Sequence, residues 1–313
     1  MKVLITGGFG FLGGRVAQYL SDQGHTVLLG SRKAIASPPW LSKSKVVETR
    51  WNSPDDLERL CSGIDAVIHT AGMNAQDCAN DPVGALECNG IATANLVRAA
   101  IRTGVKRFIY LSTAHVYSSP LAGTITEDTC PMNLHPYATS HRAGEDAILF
   151  AQQRGEIEGI VIRLSNAFGT PTHKEVNCWM LLVNDLCRQA VTTGKMILHS
   201  TGMQRRDFIA LTDACRAIDH LLSLAAGSIG KGLFNLGGAW TPTVWEMACL
   251  IQQRCASSIG IQPELFRVNP VDSEPIMELH YHMDRFLKTG FQPAADRFSE
   301  IDQLLIFSRA SFT

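Results

Sequence analysis

The sequence predicts an α/β protein: a doubly wound parallel sheet followed by a smaller mixed α/β region. Three observations predict it. The chain opens on a β-rich run, Lys2–Thr6, that enters the cluster Gly7-Gly8-Phe9-Gly10-Phe11-Leu12-Gly13 and continues in the helical pattern Arg15-Val16-Ala17-Gln18-Tyr19-Leu20. Short apolar strands then alternate with apolar-periodic helical stretches through the first half, the rhythm of repeated βα units. Beyond Asn166 the rhythm breaks and helices dominate.

Taken in order, strands are expected at Val3–Thr6, His25–Leu29, Lys45–Glu48, Ala66–His69, Arg107–Leu111 and Gly159–Leu164. Each is a short β-branched or aliphatic run bounded by turn residues. Leu86–Thr103 and Ser140–Gln153 carry helical periodicity, as do 176–193, 212–225 and 243–255, with a short strand at Leu233–Leu236. The expected division is a nucleotide-binding domain over 1–165 and a substrate-binding domain over 166–313, with parts of 207–240 packing back on the first.

Bulk properties narrow the function. At 313 residues and 45% hydrophobic content the chain can bury a large core. Its formal net charge is −1 and no Lys/Arg block exceeds two residues, which argues against nucleic acid or an anionic membrane as partner. The nine cysteines are scattered, with no CxxC and no metal-ligand spacing, so free thiols and no bound metal are expected. The chain starts on a strand instead of a charged segment leading into an apolar one, and no apolar run reaches the roughly 18 residues of a membrane span. The expected location is the cytoplasm.

The opening strand, glycine turn and helix form a dinucleotide-binding context of Rossmann type. Gly7 lets the chain turn off the strand, Gly10 lets backbone approach a pyrophosphate, and Gly13 lets helix and strand pack closely. The helix N-terminus, with Phe11 and Leu12, offers free N–H groups to the phosphates. The second strand leads into Ser31-Arg32-Lys33, with no carboxylate to hold an adenosine ribose. Serine and guanidinium at that point suit a 2′-phosphate, so NADP(H) is favoured and NAD(H) is the alternative. Arg15 is a candidate second cation.

Further motifs fall in order along the chain. They are Asp65-Ala66-Val67-Ile68-His69-Thr70-Ala71-Gly72, Asn89 with Asn95-Leu96, and Leu111-Ser112-Thr113-Ala114-His115-Val116-Tyr117. Tyr137-Ala138-Thr139-Ser140-His141, Arg163-Leu164-Ser165-Asn166-Ala167-Phe168-Gly169, Arg206-Asp207-Phe208 with Asp213, and Phe234-Asn235-Leu236-Gly237-Gly238 follow. Over residues 1 to about 240 the chain resembles the extended short-chain dehydrogenase/reductases of the NAD(P)-dependent epimerase/dehydratase type, which mostly act on nucleotide sugars.

The resemblance assigns roles. Tyr137 is the expected acid/base, with Thr113 hydrogen bonding the reacting oxygen. Ala71 lies along the cofactor. The family's YxxxK lysine is replaced by His141, four residues on and so on the same helical face as Tyr137. An imidazole, with a reference pKa of ~6.5, is mostly neutral at pH 7 and gives Tyr137 less help than an ammonium. Either the chemistry is modified or the chain binds cofactor without turnover. His115 stands where C3/C5-epimerising relatives use a cysteine and is a candidate proton shuttle; His69 reads as structural. No Asp-Glu pair follows Thr113, which disfavours 4,6-dehydration. Asn166, Asn177 and Arg206 match the family's contacts to substrate hydroxyls and diphosphate, unless Arg206 is spent on Asp207 or Asp213. His282 and Arg285 lie where the sugar pocket is often completed. The resemblance also implies a homodimer through a four-helix bundle, with Leu96, Ala99, Ala143 and Ala147 as candidates for its seam.

Overall fold

The computed structural model describes residues 1–269 and 276–313. Along the chain run β1 (Lys2–Thr6), α1 (Phe11–Asp22), β2 (Thr26–Ser31), β3 (Lys45–Glu48), α2 (Pro54–Cys61), β4 (Ala66–His69), α3 (Ala75–Asn80), α4 (Pro82–Ala85) and α5 (Ala92–Arg102). There follow β5 (Arg107–Thr113), β6 (Gly123–Ile125), α6 (Pro136–Gln153), β7 (Glu158–Leu164), β8 (Asn166–Phe168) and α7 (Leu182–Thr193). The last third holds β9 (Lys195–Leu198), β10 (Phe208–Ala210), α8 (Leu211–Ser223), β11 (Leu233–Leu236), α9 (Val244–Ile259), β12 (Glu264–Arg267), β13 (Leu279–Tyr281), α10 (Asp284–Leu287) and α11 (Arg297–Phe312).

Seven strands form one sheet in the order β11-β7-β5-β4-β1-β2-β3, and every pairing is parallel. Both faces of β1 are apolar, as a doubly covered sheet requires. Val3 and Ile5 join Val16, Ala17 and Leu20 of α1 and Ile218 and Leu221 of α8 on one side. Leu4 joins Leu57 of α2, Leu96 of α5 and Ile148 of α6 on the other. A third cluster unites α7, α9 and α11 through Leu186, Ile251 and Leu304. The strand order reverses between β1 and β4, and the crevice beyond their C-terminal ends is where such sheets bind ligands.

Several sequence boundaries move. β2 runs on to Ser31 and β5 to Thr113, so Arg32 and His115 leave directly from strand ends. α6 starts at Pro136, which puts Tyr137 and His141 on one helix. The predicted helix over Leu86–Thr103 opens with a π-helical turn, Leu86–Ile91, that buries Asn89 before α5 begins. The helix predicted over 176–193 starts only at Leu182. Residues Val176 and Cys178 are instead buried in a non-helical segment, and the Trp179 ring packs on Phe307 and Phe312. Apolar spacing there served long-range burial, not a helix.

Candidate active site

The glycine turn is shaped by close backbone contacts. Gly7 has φ +71°, and a Cβ there would lie 2.6 Å from the Ala71 nitrogen. A Cβ on Gly13 would lie 2.3 Å from the Gly7 oxygen, so α1 packs on β1 at a distance only glycine permits. Gly10 differs. It caps α1 in an extended conformation, and a Cβ there would meet only the Gly7 oxygen, at 3.1 Å. The space over Gly10 is open, no side chain caps α1, and its first turn holds no acid. That arrangement fits a pyrophosphate on the helix N-terminus. Phe11 and Leu12 form the first turn, and Ala71 stands against Gly7 across the crevice.

At the end of β2, the Ser31 hydroxyl accepts from the Lys33 nitrogen at 3.2 Å and Arg32 is exposed. One carboxylate invisible to local sequence does arrive: Glu48 is the register partner of Ser31 on β3, but it pairs with Arg50 at 3.1 Å. Arg15, the candidate second phosphate cation, is engaged by protein groups. Its guanidinium donates to the Thr170 oxygen at 2.7 Å and meets Thr212 and Glu300, tying α1 to the C-terminal part of the chain.

At the centre, Tyr137 stands beside Thr113, which is buried at the end of β5. The His141 ring meets Tyr137 edge-on with centroids 4.6 Å apart, and its Nδ1 lies 2.8 Å from the Tyr110 hydroxyl. Burial pushes the His141 imidazole down to about 4 and raises the Tyr137 phenol above its ordinary value. The pair is therefore neutral at pH 7. His69 is fully engaged inside the core, 2.6 Å from Thr6 and 2.8 Å from Thr93, and burial takes it down to about 3. Asn89 anchors the helix pair from the π turn. Its carbonyl side accepts from the Met73 nitrogen at 2.9 Å, and its amide donates to Ser140 at 3.0 Å.

Toward the other end, His115 stands near Asn166 and Arg206; burial first, then that cation, lowers its pKa. Arg206 has no ion pair among the described residues, and burial lowers its own pKa. The two acids that could have claimed it are engaged elsewhere. Asp207 accepts from the nitrogens of Gly238 and Trp240 at 2.9 and 3.4 Å, which locks the Arg206-Asp207-Phe208 and Gly237-Gly238 motifs together. Asp213 binds Arg216 and the Ala295 nitrogen. Asn177 does not join this cluster. It is exposed and lines an open cleft of about 740 Å³ with Lys174, Trp179 and Arg188, to which His115, Asn166 and Arg206 contribute nothing. Arg285 pairs with Glu127 and Asp128, and His282 lines a cavity of about 200 Å³ beside Asp207 and Tyr281.

Two motif residues hold the frame. Arg163 and Glu145 form a buried ion pair at 2.6 Å, with the guanidinium over the Tyr117 ring. The Tyr117 hydroxyl donates to Asn235 at 2.7 Å. Tyr110 was missed in the sequence; its one signal was a phenol in an otherwise apolar strand interior.

Fold and glycine turn together define an α/β protein of Rossmann type. The family model described as "NAD dependent epimerase/dehydratase family" matches residues 3–237, and the chain belongs to that family. It is 25% identical to a dTDP-glucose 4,6-dehydratase of Streptomyces niveus over 310 residues, covering 94% of this chain and 88% of the relative. It is 29% identical to a dTDP-6-deoxy-L-talose 4-dehydrogenase (NAD(P)(+)) of Kitasatospora kifunensis, covering 87% and 83%. Among solved structures, a Thermotoga maritima UDP-glucose 4-epimerase with UDP-glucose superposes with TM-score 0.81 at 20% identity over the whole of both chains. A Thermus thermophilus UDP-glucose 4-epimerase complex with NAD gives 0.80 at 21%, covering 99% and 100%. At these identities the likeness to the solved structures is one of fold. Among the described residues no helix is long and apolar enough to cross a membrane.

Proposed function

We propose that the chain is an NADP(H)-dependent enzyme that reduces a keto group on a nucleotide-activated sugar. The observation that carries this is the neutral Tyr137–His141 pair. A phenol held protonated at pH 7 is a proton donor, and reduction of a ketone needs a donor where oxidation needs a phenolate. When bound, the nicotinamide supplies the hydride. Tyr137 gives its proton to the ketone oxygen as the alcohol forms, Thr113 holds that oxygen and the phenol together, and solvent restores the proton to Tyr137. His141 holds the nicotinamide ribose. Gly7, Gly10, Phe11, Leu12, Gly13 and Ala71 hold the dinucleotide backbone, with Ser31 and Arg32 at the 2′-phosphate. NADP(H) rests on exposed Arg32 and on the pairing of Glu48 with Arg50; NAD(H) is the alternative. The dehydrogenase relative carries NAD(P)(+) in its name.

Arg206, free of any carboxylate among the described residues, takes the diphosphate, with Asn166 on a substrate hydroxyl; Asn177, which lines a different cleft, is left out of this site. His115 stands beside Asn166, where a proton shuttle would serve epimerisation through a keto intermediate. A chain that binds cofactor without turnover is the second reading, favoured by the same uncharged His141. Single-turnover oxidation of NADPH with UDP- and dTDP-keto-sugars separates the two: turnover supports the reductase, and bound but unreactive NADPH supports the second.

A homodimer is proposed as well, through a seam that keeps Ala143 but not Leu96 or Ala99 of the residues the sequence suggested. Leu96 and Ala99 are core residues, 0% and 3% exposed. Ala143 and Phe150 of α6, with Val83, Leu86 and Ile91, form the exposed apolar face instead. All nine thiols are free, which fits a reducing compartment such as the cytoplasm.

A further inference from the structure

The helix that carries Tyr137 and His141 is capped by a histidine. His135 is the N-cap of α6, with φ −59° and ψ 136°, and Pro136 follows it at the first helical position. His135 Nδ1 accepts a hydrogen bond from the Tyr137 nitrogen at 3.2 Å. It thereby satisfies an N–H of the first turn, which no helical carbonyl can reach. The backbone of the cap is held in turn. The His135 nitrogen donates to Asn133 Oδ1 at 3.0 Å, and Asn133 Nδ2 donates to the His115 oxygen at 2.7 Å. One continuous strap therefore runs from the His115 turn beyond β5, through Asn133 and His135, to the amide of Tyr137.

This cap works in one protonation state. A neutral imidazole has one bare nitrogen, and only a bare Nδ1 can accept from Tyr137. In the imidazolium both nitrogens are donors, so protonation sets a donor against the Tyr137 N–H. The new charge also falls at the positive end of the α6 dipole. Serine, threonine, asparagine and aspartate, the common caps, go on accepting through mild acid; a histidine does not. His135 is exposed, so protons reach it freely. Its titratable neighbour across the strap is His115, with the Arg206 cation beside that ring, and a charge on His135 disfavours one on His115. On its own helix the Arg142 guanidinium donates to the Pro131 oxygen at 3.3 Å. Among the described residues the histidines in ion pairs are His25, His173 and His282, so no carboxylate holds His135 in its charged form.

We infer that His135 is a positioning residue for Tyr137 and a proton-sensitive one: its neutral ring fixes the first turn of α6, and protonation releases that turn. The inference rests on the reading of Tyr137 as the group that exchanges the proton with substrate. The rest of α6 stays anchored, because Ile148 and Ala151 lie in the core and His141 is held by the Tyr110 hydroxyl at 2.8 Å. Release therefore moves Tyr137 relative to His141 and Thr113 while the helix persists. Turnover falls in mild acid through the position of the phenol.

Amide hydrogen exchange followed by NMR between pH 5 and pH 8 tests it, with protection expressed relative to an unstructured chain and the Ile148 amide of α6 as internal reference. In the unaltered protein the Tyr137 amide is expected to lose protection relative to Ile148 by roughly two- to thirtyfold from pH 8 to pH 5, the worth of an N-cap. His135→Asn installs a cap that does not titrate and is expected to keep Tyr137 protected at both pH values. His135→Ala is expected to leave it unprotected at both. With NADPH and UDP- or dTDP-keto-sugars, His135→Asn is expected to retain kcat further into acid than the unaltered protein, with KM unchanged. A Tyr137 amide equally protected at pH 5 and pH 8 in the unaltered protein overturns the inference, as does a pH dependence that His135→Asn leaves in place. An amide that behaves as stated beside an unmoved kcat profile also overturns it, because the cap then serves the helix alone. If the amide behaves as stated and no protein turns over a keto-sugar at any pH, the acid/base reading of Tyr137 has failed; the proton-sensitive cap stands and the positioning role falls.

Discussion

The rings of Tyr137 and His141 stand edge to face, 4.6 Å apart, one turn of α6 from each other. Neither ring carries charge at pH 7: burial lowers the imidazole and raises the phenol. A lysine four residues after the tyrosine would bring a cation to this spot and draw the phenol toward its ionised form. The histidine brings geometry without charge. Thr113 is left as the neighbour that lowers the phenol pKa.

Stability should fall on mild acidification. His141 and His69 are neutral in the fold, held at about 4 and about 3, and they take up protons on unfolding below about pH 6.5. Their contribution is complete above that pH and is lost as pH falls toward those values, at about 1.4 kcal/mol per unit for each. Asp207 acts oppositely. Burial raises it to about 6, so the fold binds its proton first and recovers a similar slope below that pH. Two imidazoles against one carboxyl leave a net loss. Urea midpoints are expected to be flat from pH 7 to 8 and clearly lower at pH 5; a midpoint that holds or rises at pH 5 contradicts neutral buried imidazoles.

Much of this was legible in the sequence, for reasons that can be named. β1, β3, β4 and β11 are short apolar runs between turn residues, and each ends where local signals end it. Tyr137, Thr113 and the glycine turn were readable because their spacing is local. What stayed hidden depends on contacts far apart in the chain. Arg15 meets Glu300, Glu48 arrives beside Ser31 through sheet register, and Trp179 packs on Phe307. The Tyr110–His141 contact joins a strand to a helix thirty-one positions away, and no motif announces it.

Two glycines of one turn should respond differently. Gly10→Val is expected to fold and to lose dinucleotide binding, since its side chain enters open space over the helix N-terminus. Gly13→Ala is expected to lose about 1–3 kcal/mol of stability, since its Cβ would press on the Gly7 oxygen and Thr70. Circular dichroism melts and NADPH fluorescence titrations read the two effects separately. A folded Gly10→Val that binds NADPH unchanged moves the pyrophosphate elsewhere.

Cofactor choice should turn on Arg32. It is exposed, so Arg32→Asp is expected to change stability by less than about 0.5 kcal/mol. NADPH is expected to bind the unaltered protein more tightly than NADH, and the variant is expected to reverse the order, because a carboxylate repels a 2′-phosphate and accepts from a free 2′-hydroxyl. Calorimetric titration of both cofactors decides it. Tighter NADH binding before substitution sinks the NADP(H) assignment.

Arg206→Ala should weaken a UDP- or dTDP-sugar and spare NADPH. The guanidinium has no carboxylate partner among the described residues, so its removal strands no buried acid. Loss of a charge-assisted contact to diphosphate is expected to cost about 1.5–3 kcal/mol, roughly ten- to a hundredfold in Kd. Equal sugar-nucleotide affinity in both proteins would assign Arg206 to the frame instead.

His141→Lys puts a cation where the family has one and the sequence does not. The ammonium would stand beside Tyr137 and favour its phenolate, so the phenol should ionise at lower pH. The oxidative direction, which needs phenolate, is expected to gain most and to reach its optimum at lower pH. The reductive direction at pH 7 is expected to hold or rise modestly. Tyr137→Phe is expected to remove nearly all turnover in both directions, because no phenol remains to exchange the proton. pH–rate profiles of kcat and kcat/KM, run forward and backward on the three proteins, check this. If Tyr137→Phe keeps its turnover, the proton comes from another group, and His115, near Asn166 and Arg206, is the first to substitute. If neither the unaltered chain nor His141→Lys turns over any keto-sugar with NADPH bound, catalysis gives way to the binding-protein reading.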